Sequence, residues 1–159
     1  MSTKPEFPPL PPLGFHQMDP DSVRRICVDA FPGSSTRGEI MRKLEEVIQV
    51  ITAVGLKVNI WLDGSFLTQK LDPEDSDIVV VVDGVYIRAA TTEQKTVIDW
   101  ILANLKTSHY CDSYLLVQYP SDHPNFMNGI WWQSYWIKHF GFTREEKPQP
   151  KGIVLIHVE

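Results

Sequence analysis

I-W-L-D-G-S-F-L-T-Q-K-L-D-P-E-D-S-D-I-V-V-V-V-D, residues 60–83, decides how this chain is read. An apolar run ends at Gly64-Ser65, a polar loop with Lys70 and Pro73 follows, and Asp75 and Asp77 open a second run that is β-branched from Ile78 to Val82. Side chains two apart on a strand point the same way, with Cα atoms roughly 6–7 Å apart. Asp75 and Asp77 are therefore expected side by side at the mouth of a strand. Two carboxylates that close repel unless a cation lies between them. Mg²⁺ suits such a pair, because it takes carboxylate oxygens and leaves positions for phosphate oxygens. The alternative is a solvated acidic turn with Asp75 as its cap, which gives no reason for the acids to abut four consecutive valines. An EF-hand loop is excluded, since glycine and glutamate are missing from its sixth and twelfth positions.

Gly64-Ser65, with Asp75-x-Asp77 beginning ten residues after the serine and a hydrophobic strand behind it, resembles the signature of the nucleotidyltransferase superfamily, the DNA polymerase beta fold. The longer form, D-G-S-F-L-T-Q-K with P-E-D-S-D-I-V-V-V-V, looks like a small, largely uncharacterised bacterial branch of it. The resemblance implies an α/β (α+β) fold with a central mixed sheet and helices packed mainly on one face. It implies that Gly64 and Ser65 hold a nucleotide's phosphates and that Asp75 and Asp77 bind the catalytic metal, Mg²⁺ or Mn²⁺. Small stand-alone members often belong to toxin–antitoxin or defence systems, so that setting is implied too.

Composition narrows the field without naming a function. At 159 residues the chain has the length of one domain with a sizeable core. We divide it into a proline-rich arm, residues 1–20, and a single domain, residues 21–159. No apolar run reaches a membrane span, no signal-like apolar region opens the chain, and a cytoplasmic protein is expected. Cys27 and Cys111 lack metal-ligand spacing and read as reduced thiols. A net charge of −5 argues against a general nucleic-acid binder but leaves room for a local basic pocket. The five histidines show no ligand spacing and no nucleophilic triad is legible, which disfavours zinc and covalent catalysis.

In chain order, F-P-P-L-P-P-L-G-F-H favours polyproline II. It reads either as a ligand for a proline-binding groove or as an arm laid over its own domain by Phe7, Leu10, Leu13 and Phe15; the second spares those side chains from water. A short helix is expected over Asp21–Phe31. A longer one follows, opened by a Thr36/Glu39 capping box and buried through Ile40, Leu44, Val47, Ile48 and Ile51. Arg37 stands near the start of that helix, where its charge opposes the dipole. After a strand at Lys57–Leu62 and the one at Ile78–Val82, Asp83-Gly84 is expected to turn the chain. Thr91 and Gln94 open a second amphipathic helix. Tyr110–Tyr119 is the next strand. A helical connection implies parallel pairing by a right-handed crossover, which brings Asp112 beside Asp75 and Asp77. The superfamily's third carboxylate, a base or metal ligand, is implied there. An ordinary acid at the start of a strand is the alternative.

Gly129–Phe140 carries Trp131, Trp132, Tyr135, Trp136 and Phe140, more aromatics than one buried stripe needs. They read as packing against arm and sheet, or as a platform for a base or partner protein. Lys70, Arg144 and Lys151 are candidate phosphate contacts. The expected activity is metal-dependent transfer of NMP from an NTP to a hydroxyl of a protein, RNA or small-molecule acceptor. The other reading is a non-catalytic module of the same fold: antitoxin, regulator or nucleotide sensor. A protein partner is compatible with both.

Overall fold

The computed structural model describes residues 5–159; positions 1–4 of the predicted arm lie outside the described residues. Five strands form one sheet: β1 (Gly14–Gln17), β2 (Val58–Asp63), β3 (Ser76–Asp83), β4 (Cys111–Gln118) and β5 (Gly152–Val158). Their order is β1-β5-β2-β3-β4. β2 is antiparallel to β3 and β5, whereas β3–β4 and β1–β5 are parallel, so the sheet is mixed. The helices are α1 (Pro20–Arg24), α2 (Arg37–Ala53), α3 (Gly84–Arg88), α4 (Thr92–Leu102), α5 (Lys106–His109) and α6 (Phe126–Phe140). An antiparallel pair needs only a loop between its strands, and Gly64–Asp75 supplies it. A parallel pair needs a crossover, which α3, α4 and α5 provide between β3 and β4.

Strand alternation divides the core in two. Ile60, Leu62, Ile78, Val80, Val82, Val154 and Ile156 point to one face, packed on Ile40, Leu44, Val47 and Ile51 of α2 and on Val97, Ile98 and Ile101 of α4. Trp61, Val79, Val81, Leu116 and Ile153 point to the other, beneath Trp136 and Phe140 of α6. Most helices thus lie on one side of the sheet, with α6 alone across the second. Each fully buried aliphatic side chain contributes about 1.5–3 kcal/mol.

Local chemistry explains most boundaries. Gly55 follows α2 with φ +67, a left-handed stop that glycine adopts freely. The Thr91–Gln94 capping box forms with both hydrogen bonds in place. The Thr36–Glu39 box does not: the Thr36 hydroxyl is buried without a partner, Glu39 turns to Arg42, and Ser34 Oγ accepts from the Thr36 and Arg37 amides instead. Asp83-Gly84 does not simply turn the chain either. Asp83 accepts from Val85 N at 2.9 Å and caps α3. The aromatic set splits by face: Trp136 and Phe140 are buried, while Trp131, Trp132 and Tyr135 are exposed.

Residues 5–12 lie over the domain. The Leu10 amide donates to Leu67 O (2.8 Å), and the Gln69 amide donates to Pro8 O (2.9 Å). Leu13 and Phe15 remain exposed, although the Phe15 ring sits edge-on to Trp61 at 5.0 Å. Within residues 1–20, Gly14–Gln17 is itself a strand of the sheet.

Candidate functional site

Register places three carboxylates in one row. Asp63 ends β2 opposite Asp77 of β3, and Asp77 stands opposite Asp112 of β4. Neighbouring strands are about 4.8 Å apart, and like charges directly opposite each other destabilise a sheet. Nothing in the core requires this row. By alternation it faces the same side as Trp61, Val79 and Tyr114, beyond the cover of α6. Asp75 precedes the row by two residues.

The turn after β2 closes against the row. Gly64 has φ +89, and a Cβ there would lie 2.7 Å from Asp77 Oδ2. Only glycine fits. Ser65–Leu67 then make a 3₁₀ turn. The Thr68 hydroxyl donates to Ser65 O at 2.8 Å and accepts from the Lys70 amide at 3.2 Å.

Arg37 shapes this loop from behind. Its side chain is fully buried, and its guanidinium donates to the carbonyls of Phe66 (2.7 Å), Thr68 (2.6 Å), Lys70 (2.6 Å) and Leu71 (3.3 Å). It also takes the carbonyl of Cys27 at 2.9 Å. That carbonyl lies in the π-helical turn Arg25–Asp29 that continues α1; its fifth neighbour is Pro32, which has no amide to offer. The Phe31 ring covers the guanidinium at 3.7 Å. The conflict between Arg37 and the helix dipole is thus resolved: the charge belongs to the loop carbonyls.

Together these elements frame a cleft of about 370 Å³. Gly64, Ser65, Lys70, Asp75, Asp77, Asp112, Arg144 and Lys151, drawn from four separate stretches of sequence, all line it. The arm closes one side: Pro5, Glu6 and Phe7 reach the cleft, and Glu6 Oε1 accepts from the Arg144 amide at 3.0 Å.

Burial pushes the Asp77 carboxyl up to about 6, with Asp75 and Asp112 adding to the rise and Arg144 and Lys106 opposing it. Burial likewise raises Asp63 to about 7 against the pull of Lys151, whose ammonium is 2.9 Å away. Lys151 is therefore committed to Asp63 rather than free for phosphate. Lys106 Nζ lies 3.2 Å from Asp75 and 3.9 Å from Asp112. Asn104 Nδ2 donates to Asp112 at 2.6 Å. Burial raises both thiols, Cys27 to about 12 and Cys111 to about 11, which leaves them protonated and unreactive.

Asp63, Lys106, Asn104, Glu6 and the socket of Arg37 were not signalled as site residues by motif. Asp63 was within reach: it adjoins Gly64 and alternates with Trp61. Lys106 and Asn104 lie in a polar segment with no periodicity, and no local signal marks them.

Among the described residues, no three His, Cys, Asp or Glu side chains are already gathered as a metal-ligand set. The donor chemistry nevertheless fits Mg²⁺ or Mn²⁺. The acids are all oxygen donors, the missing Cβ of Gly64 leaves Asp77 room, and an ammonium already stands as a cation against Asp75 and Asp112.

Fold and site define an α/β protein whose mixed sheet carries an acidic cleft at the end of its central strands. The chain belongs to the Family of unknown function (DUF6932), whose profile matches residues 5–157. Neither the curated proteins nor the solved structures contain a match to it. No helix among the described residues is long and apolar enough to cross a membrane.

Proposed function

We propose that the cleft is the site of a metal-dependent nucleotidyltransferase of the polymerase beta fold, which transfers NMP from an NTP to a hydroxyl of a protein, RNA or small-molecule acceptor. One observation carries this reading: the glycine turn and the acids meet, since a Cβ on Gly64 would collide with Asp77. A phosphate-binding turn and a carboxylate cluster in one cleft are what nucleotidyl transfer needs. The topology supports it, with the Gly-Ser turn after β2, two acids at the start of antiparallel β3 and a third on parallel β4.

Asp75, Asp77 and Asp112 would hold Mg²⁺ (or Mn²⁺), which when bound neutralises phosphate charge and acidifies the attacking hydroxyl. Ser65 and the backbone amides after Gly64 bind the phosphate oxygens, with Lys70 and Arg144 as the cationic contacts; the Gly64 amide itself serves the Asp63 carboxylate. The acceptor oxygen forms a bond to the α-phosphorus, the bond from that phosphorus to the bridging oxygen breaks, and pyrophosphate leaves. Asp112, oriented by Asn104, accepts the hydroxyl proton. The chain's own contribution is positioning and charge.

A second reading, a non-catalytic nucleotide-binding or regulatory module, rests on Lys106: its ammonium already neutralises Asp75. Melting the protein with Mg²⁺ and each of ATP, CTP, GTP and UTP tests both. A ligand at one hundred times its dissociation constant stabilises by about 2.7 kcal/mol. A shift with one or more nucleotides, followed by labelled NMP appearing on a component of a cell lysate, supports transfer. A shift without transfer supports the second reading as a nucleotide binder, and no shift with any nucleotide removes nucleotide transfer and nucleotide binding alike, leaving only a regulatory module.

A further inference from the structure

We infer that Lys106 is a built-in counter-ion that fills the place between Asp75 and Asp112, so that the cleft takes one divalent cation, where a two-ion mechanism sets one ion at the attacking hydroxyl and a second at the leaving pyrophosphate. The inference rests on the nucleotidyltransferase reading and specifies its metal requirement.

The ammonium is put there by its surroundings. Asn104 has a left-handed backbone, φ 68. Its side chain reaches both ways: Nδ2 donates to Asp112 Oδ1 at 2.6 Å, and Oδ1 accepts from the Lys106 amide at 2.8 Å. The same residue thus orients the carboxylate and sets the backbone from which the ammonium extends. Leu105, buried in the core, fixes the next link, since its amide donates to Ser113 Oγ (3.0 Å) and that hydroxyl donates to Ile101 O (2.8 Å). The backbone at Lys106 is consequently tied to β4 through Asn104 and Leu105, which bond to Asp112 and Ser113, and its ammonium lies within 4 Å of both acids.

The remaining cations of the cleft are placed differently. Lys151 is held by Asp63, and the main chain of Arg144 is held by Glu6. Asp75, Asp77 and Asp112 together bear three formal negative charges, against which Lys106 and, at longer range, Arg144 already stand. A second divalent ion in the same place would have to displace the ammonium or meet it as a like charge.

The test counts manganese bound per chain by electron paramagnetic resonance at neutral pH, with Mn²⁺ as the only added ligand. We expect one Mn²⁺ for the wild-type protein and for Lys106→Arg, and two for Lys106→Met. Lys70→Met removes an equal charge from the same cleft and is expected to retain one, which separates a local place from a general change of field. In chelator, Lys106→Met should melt below wild type, and Mn²⁺ should restore it. Two ions on the wild-type protein, or one on Lys106→Met, would overturn the inference and leave the nucleotidyltransferase reading standing. No bound Mn²⁺ on any of the four proteins would overturn both.

Discussion

The loop between β2 and β3 has two sides that treat charge in opposite ways. On the inner side Arg37 is wholly enclosed, yet each of its donors meets a backbone carbonyl, and no carboxylate takes part. On the cleft side Asp63, Asp75, Asp77 and Asp112 stand close together, and among the described residues Lys151 and Lys106 are the cations within pairing distance of them. A buried cation without its partners is costly, so the inner side is complete as built and its work is structural. The cleft side retains uncompensated negative charge, and that incompleteness points to a ligand. Satisfaction of charge, more than burial or residue type, separates scaffold from site within one loop.

The sharpest way to break this contrast is to empty the inner side. Arg37→Met should cost about 3–5 kcal/mol, because it strands several carbonyls at once; chemical denaturation measures it, and a loss below about 1 kcal/mol would mean the loop holds its shape unaided. Next comes Asp75→Asn with Asp77→Asn. The pair should leave the apo fold intact and abolish the metal-dependent stabilisation by nucleotide, which is about 2.7 kcal/mol at one hundred times the dissociation constant. Normal Mg·NTP binding by the double variant would remove the site assignment. Gly64→Ala joins the two sides, since the strained φ and the collision with Asp77 should cost about 1–3 kcal/mol and weaken nucleotide binding in the same melts.

The smallest effect is in pH. Asp63 and Asp77 bind protons more tightly folded than unfolded, their values rising to about 7 and about 6. Protons bound only by the folded state stabilise it, so this contribution is full below about pH 4 and is lost as pH rises through 6 and 7. The melting temperature of metal-free protein should fall over that range. Mg²⁺ should blunt the fall, and Asp77→Asn should flatten part of it. A melting temperature that rises instead would show these carboxylates to be well compensated, erasing the contrast between the two sides.

Legibility in the sequence followed the range of the signal. Gly64, Ser65, Asp75 and Asp77 were visible because a short loop and a β-branched strand keep them together. Asp112 was reachable because the crossover rule makes β3 and β4 parallel, and register then brings it beside Asp77. The periodic helices α2 and α4 were equally plain. Arg37 was noticed for a local misfit, yet its partners lie about thirty residues on, and no local rule supplies them. The Thr36–Glu39 box failed because Ser34 Oγ, two residues earlier, takes the Thr36 amide that the Glu39 side chain would have capped, and Glu39 pairs with Arg42. Asp83-Gly84 has the composition of a turn, but the same side-chain bond can also start a helix.

The position of β5 has a consequence for how the molecule is made. That strand, the last of the sheet in sequence order, inserts between β1 and β2, and Lys151 just ahead of it is what reaches Asp63. Glu6 and Arg144 meet across almost the whole sequence. While a ribosome is still extending the polypeptide, β2, β3 and β4 can already pair, but the cleft lacks a wall and a lysine until the final strand emerges. Within this sheet, the pocket is the last part to be completed.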